Sequence, residues 1–150
     1  MPTYHCSARM GLLDAERKAR IARAVTLAHA EVTGAPPHLA QVLFRDVPPQ
    51  DHYVGGALLE HDHVFVHGHI RGGRSTELRA ALVRRLTDDV AATARVDRLA
   101  VWVYLSEIPA AAMVEFGHVL PEAGQEAAWT EALPAADREH MEAAAARFRR

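Results

Sequence analysis

The sequence predicts an α/β fold of the α+β kind, built from a duplicated β-α-β unit. Three observations predict it. The same order of segments occurs twice: a short apolar strand, a capped amphipathic helix, and a second apolar strand ending in proline. The second copy follows the first at a constant offset without a gap, so that Thr3 falls on Val64, Asp14 on Ser75, Asp46 on Glu107 and Pro48 on Pro109. Each unit alone is too small to close a core, so the two are expected to share one four-stranded sheet with two helices on one face.

In order, Thr3 to Ser7 has the pattern of a short strand, and Asp14 opens a helix. That helix carries Ile21, Val25, Ala28 and Val32 along one face at helical spacing. The run LAQVLFRDVPP (39–49) follows as a buried strand, and HVFVHGHI (63–70) as a third strand. Ser75 is a good N-cap for the second helix, which turns Leu78, Leu82, Leu86 and Val90 inward. LAVWVYLSEIP (99–109) is the fourth strand. A crossover makes the strands within a unit parallel, and pseudo-twofold symmetry sets the two units antiparallel to each other. The uncovered face is expected to carry Val42, Phe44, Val101 and Val103, to be apolar, and to need a partner copy.

The repeats span about 2–48 and 63–109, and a tail (110–150) completes one single domain. In the tail, PAAAMVEF (109–116) is expected to form a helical turn and PEAGQ (121–125) a break. LPAADREHMEAAAARF (133–148) is expected to be a helix with Pro134 near its first position, packed on a neighbouring subunit.

Composition narrows the function. With 150 residues, almost half apolar and about a quarter charged, the chain is of ordinary globular type. A formal net charge of −2 leaves no nucleic-acid or membrane-surface footprint. Cys6 is the only cysteine, which excludes an intrachain disulfide and a CxxC metal site. No stretch approaches a membrane helix, no signal-peptide core is visible, and a reducing cytoplasm is the expected location. His61, His63, His67 and His69 share one strand parity, a spacing compatible with zinc, but no supporting carboxylate accompanies them and no metal is expected.

The residues with chemical potential are few. Removal of Met1 would free the secondary amine of Pro2, a nucleophile and base able to work near neutrality once desolvated. Antiparallel pairing of the units brings Pro2 near the end of the third strand, where Arg71-Gly-Gly-Arg74 leads into the second helix. Two guanidinium forks beside free helix N–H groups suit a carboxylate. His29, Tyr104 and Glu115 each have an ordinary structural reading alone: a core histidine, a core tyrosine and a solvated carboxylate.

The chain resembles the tautomerase superfamily and, within it, the cis-3-chloroacrylic acid dehalogenase family. The resemblance lies in M-P-T-Y at the start, T-L-A-H-A-E-V-T-G around His29, F-V-H-G-H-I-R-G-G-R through Arg74, W-V-Y at Tyr104 and E-I-P-A-A-A-M-V-E-F-G through Glu115. It implies a homotrimer and needs no cofactor. It also implies that Pro2 delivers a proton to carbon 2 of a short unsaturated acid. Arg71 and Arg74, helped by His29, would bind the carboxylate, while Glu115 with Tyr104 would activate water for attack at carbon 3.

Two departures stand out: Phe116 replaces a tyrosine of the family pattern, and the loop V-T-G-A-P-P-H (32–38) differs. The expected activity is hydration of cis-3-haloacrylate or a related acid to malonate semialdehyde. The alternatives are a keto–enol tautomerase with Pro2 as base, acting on a phenylpyruvate or 2-hydroxydienoate type of substrate, and a non-catalytic trimeric binding protein if Met1 stays.

Overall fold

The repeat is realised in three dimensions. The computed structural model describes residues 2–148. Strand β1 (Thr3–Arg9) leads to helix α1 (Ala15–Thr33) and strand β2 (Gln41–Val47). A small hairpin, β3 (Tyr53–Val54) and β4 (Ala57–Leu58), intervenes. Then β5 (Val64–Arg71), α2 (Thr76–Ala94) and β6 (Val101–Ile108) repeat the unit. The sheet order is β2-β1-β5-β6. Strands are parallel within each unit, and β1 runs antiparallel to β5, with Thr3 opposite His69.

Local chemistry explains the matched helices. The Asp14 side chain accepts from the Arg17 N–H, and the Ser75 side chain accepts from the Leu78 N–H. Both helices end on a left-handed residue, Gly34 and Arg95, which returns a backbone N–H to the last turn. Equivalent ion pairs tie each helix to its second strand: Lys18 to Asp46 at 2.9 Å, and Arg79 to Glu107.

The core lies between the sheet and the two helices. Tyr4, Cys6, Val64, Val66 and Ile70 meet Ile21, Val25, Leu82, Leu86 and Val90. Val42, Phe44 and Val103 pack against this core, and Val101 belongs to it, so these four face the helices rather than the open side. Strand register is the reason. Tyr4 pairs with Val42, Cys6 with Phe44, Val64 with Val101 and Val66 with Val103, and paired residues share a face. The open face instead carries aromatic and imidazole rings. Phe65 lies edge-on to Tyr104 at 5.1 Å, and His69 stands 5.7 Å from His5 and 4.4 Å from His67.

The histidine row therefore breaks up. His61 is exposed ahead of β5, while His63 is buried against His52 and Trp102. Among the described residues no group of three or more His, Cys, Asp or Glu is placed to hold a metal ion. No described helix is long and apolar enough to cross a membrane.

The tail departs from expectation. The short helical turn expected within 109–116 is a 3-10 turn (Ala110–Ala112), and a second hairpin, β7 (Val114–Glu115) and β8 (His118–Val119), follows it unforeseen. Its two-residue turn, Phe116-Gly117, has positive φ at both positions, 51° and 82°, as a primed hairpin turn demands. Helix α3 (Glu126–Ala132) was not foreseen. Helix α4 (Ala135–Phe148) starts after Pro134, whose carbonyl accepts from the N–H groups of Asp137 and Arg138. It packs on the turn Pro37–Leu39 of its own chain. The Trp129 indole N–H donates to the Val119 carbonyl at 2.9 Å, and His118 Nε2 pairs with Asp137 at 2.9 Å. The tail thus folds back over the start of β1.

Candidate active site

Pro2 sits just before β1 with its ring fully buried, and its carbonyl accepts from the Gln41 N–H at 2.9 Å. Met1 lies outside the described residues, so the expected removal of Met1 finds no counterpart here. A small cavity beside Pro2 is lined by His29 of α1, by Arg71 at the end of β5 and by Arg74 just before α2. Ala35 and Pro36 close one side, in the loop the sequence singled out, and Leu120, Pro121, Glu126 and Trp129 of the tail close another. The enclosed space is about 20 Å³, room for roughly one water molecule.

His29 is held by the core. It is 3% exposed, and its Nδ1 lies 2.7 Å from the hydroxyl of the fully buried Tyr4. Burial first, then the charges of Arg74 and Arg71, push its pKa down to about 3. Burial also pushes the Tyr4 phenol well up; the charge of Arg74 opposes this and Cys6 adds to it. Both groups are therefore neutral at pH 7. We assign the Tyr4 O–H as donor to Nδ1, which leaves the imidazole proton on Nε2. His29 then offers an Nε2–H donor and is not an acid near neutrality.

The arginines come from the glycine loop. Gly73 has φ of 92°, a left-handed conformation that suits glycine, and it lets the chain leave β5 and turn into α2. Arg74 Nη1 donates to the Thr33 carbonyl at 3.3 Å, an open acceptor at the end of α1. Arg71, only 5% exposed, donates through Nη1 to the Pro121 carbonyl at 2.8 Å and through Nη2 to the Glu126 carboxylate. The Nε groups of both arginines are buried and have no partner among the described residues. Burial and the neighbouring charge of Arg71 pull the Arg74 pKa down, against Glu126, Tyr4 and Glu107. Two close guanidinium groups with unpaired donors create a strong demand for an anion.

The other two expected residues do not line this cavity. Tyr104 is 54% exposed on the open sheet face, in a groove with Ser7, His52, Phe65 and Trp102. It is level with His67 and hence with His5, two strands from β1. Strand spacing and rise put it about 14 Å from Pro2. Glu115 lines a different open groove with Thr3, Gln41, Met113 and Phe116. One protomer thus joins Pro2, His29, Arg71 and Arg74 in one cavity, sets Glu115 in an adjoining groove that shares Thr3 and Gln41 with the start of β1, and holds Tyr104 apart on the open sheet face.

Two residues that sequence reasoning did not single out belong to the site. Tyr4 was visible only as part of M-P-T-Y, and its role depends on a contact with a residue 25 positions away. Glu126 lies in a tail segment whose sequence carries no signal for a position 55 residues from Arg71.

A β-α-β repeat with proline at its first strand and an arginine pair beside it defines a class, and comparison with known proteins agrees. Residues 1–132 match the family described as "Putative oxalocrotonate tautomerase enzyme". A crystal structure of a member of the cis-3-chloroacrylic acid dehalogenase family is 35% identical, with a TM-score of 0.90, and the match covers 94% of this chain and 99% of that one. A protein crystallised after inactivation by 2-oxo-3-pentynoate is 25% identical over 81% of this chain and 97% of its own, with a TM-score of 0.73. A fused 4-OT solved as a symmetric trimer is 25% identical over 74% and 89%, with a TM-score of 0.68. A search of curated protein sequences finds no match. The chain belongs to the tautomerase superfamily, as a cis-3-chloroacrylic acid dehalogenase-like member.

Proposed function

We propose that this chain, once Met1 is removed, adds water to a short unsaturated monocarboxylic acid of the cis-3-haloacrylate or propiolate kind. The observation that carries this reading is the meeting of buried Pro2, neutral His29 and two arginines with unpaired Nε donors in one cavity. The carboxylate lies between Arg71 and Arg74 and accepts from His29 Nε2. These donors draw electron density toward the carboxylate and leave carbon 3 electron-poor. Glu115, with Tyr104, takes a proton from water as its oxygen bonds to carbon 3. The Pro2 ammonium passes its proton to carbon 2 and quenches the enediolate. With a halogen on carbon 3, the halohydrin loses halide and a proton to give malonate semialdehyde; with propiolate, the hydrated product is the enol of the same aldehyde.

Because Tyr104 stands about 14 Å from Pro2 within a protomer, this chemistry requires a homotrimer in which a neighbouring subunit supplies Tyr104 to each site. The trimeric state of the fused 4-OT relative supports that assembly. The reading is tested by incubating protein, with Met1 removal verified by intact mass, with cis-3-chloroacrylate and propiolate. Loss of substrate absorbance and formation of the aldehyde are expected. No turnover of either acid overturns the reading. A retained Met1 in the native protein would leave Pro2 acylated, with no amine, and favour a trimeric binding protein.

One observation favours a second reading. The groups gathered within a single protomer, Pro2, His29, Arg71 and Arg74, suffice for keto–enol tautomerisation with neutral Pro2 as base. Glu115→Gln separates the two: it abolishes hydration and spares tautomerisation of a phenylpyruvate-like enol.

A further inference from the structure

The cavity beside Pro2 already contains a carboxylate. Glu126, the first residue of α3, places its side chain on Arg71, and the Pro121 carbonyl takes the other terminal nitrogen of the same guanidinium. Both terminal nitrogens of Arg71 are therefore engaged by the chain's own tail, and only Nε is left without a partner. An incoming carboxylate cannot meet the Arg71 fork in this arrangement.

The segment that blocks the fork is built to hold Glu126 as an anion. Burial works to raise its pKa. The hydrogen bond from Arg71, backbone N–H groups at 126 and 124, and the Arg71 charge outweigh this and hold the carboxyl below its ordinary range. Gly124, at a φ of 88°, turns the chain just before α3, and Trp129 fastens the helix to β8 through its indole N–H. Yet Glu126 remains partly open to solvent while Arg71 is buried. The carboxylate can thus leave toward water more readily than the arginine can.

We propose that Glu126 is an internal competitor for the substrate carboxylate and so a specificity-determining residue. A short monocarboxylate binds by displacing Glu126 from Arg71, and α3 lifts with it. The inference rests on the carboxylate clamp of the proposed function, but not on its chemistry. It also gives the cavity a charge preference. With Glu126 displaced but nearby, a single carboxylate is matched, and an acid carrying a second negative charge toward α3 is repelled.

The test is a binding measurement with propionate, a saturated acid that cannot be hydrated. Calorimetric titration of the unaltered protein, Glu126→Gln and Glu126→Ala is compared, with melting curves as a folding check. Removing one charge-assisted competitor is expected to tighten propionate binding about tenfold in both variants. Equal or weaker binding in the folded variants overturns the proposal, since Glu126 would then be holding Arg71 in place. Absence of propionate binding in all three proteins also overturns it. Should the variants not fold, hydrogen exchange of the unaltered protein decides. Saturating propionate is expected to speed exchange in residues 121–132, and unchanged exchange there overturns the proposal. Tighter binding in the variants without turnover of any unsaturated acid refutes the hydratase reading alone. Turnover with unaltered propionate affinity refutes the competitor alone.

Discussion

The Tyr4 hydroxyl lies 2.7 Å from Nδ1 of His29, fully buried beneath the cavity that Pro2 opens onto. This contact couples the hydrophobic core of the first repeat to the imidazole that faces the arginine pair. Tyr4→Phe removes the donor and leaves a buried ring nitrogen without a partner. The expected cost is about 1–3 kcal/mol of stability. The His29 tautomer is also released, so the KM for a carboxylate substrate should rise several-fold. Urea unfolding and steady-state kinetics check the two effects separately.

Gly68 guards the same contact from the neighbouring strand. A Cβ there would stand 2.4 Å from Tyr4 Cε1 and 2.8 Å from Leu105 Cδ2. Tyr4 is buried and cannot swing away freely. Gly68→Ala should therefore cost about 1–3 kcal/mol and lower Tm by about 3–10 °C. A melting curve unchanged within a degree would show that the Tyr4 ring has more room than its packing indicates.

His29 also sets a pH dependence of stability. The unfolded chain takes up a proton near the ordinary histidine value, whereas the folded chain refuses it until about pH 3. More protons are bound by the unfolded state in that window, so stability falls as pH falls through it. Between pH 7 and pH 5 this group alone should remove about 2 kcal/mol. His29→Gln should lose that part of the slope, as read from urea midpoints at the two pH values.

Completion of the site by neighbouring subunits can be read from mixed trimers. Arg74→Ala and Tyr104→Ala chains should each be inactive as hydratases. If Tyr104 acts on a different protomer's cavity, co-refolding equal amounts restores about a quarter of the sites, because subunits combine at random. Activity no higher than the sum of the two variants would place Arg74 and Tyr104 of each site in one subunit.

Much of this molecule was legible in its sequence because its determinants are local and doubled. Asp14 and Ser75 cap helices of identical length, and Lys18–Asp46 and Arg79–Glu107 recur as equivalent ion pairs. The open sheet face was misread, since apolar character alone does not say which side of a strand meets the helices. Register settles that, and it gives Val42, Phe44, Val101 and Val103 to the core. The small hairpins at Gly55-Gly56 and Phe116-Gly117 are too short to leave a periodic pattern.

By itself, then, the sequence determined the repeat, the helix caps, the relative strand directions and the gathering of Pro2 with Arg71 and Arg74, all of which follow from periodicity, capping chemistry and one symmetry relation. Only the tertiary structure decided that His29 is kept neutral against Tyr4, that Tyr104 and Glu115 stand outside the cavity of their own protomer, and that Glu126 returns from the tail to occupy Arg71. Those outcomes depend on burial and on contacts between residues far apart in the chain, which no local pattern encodes.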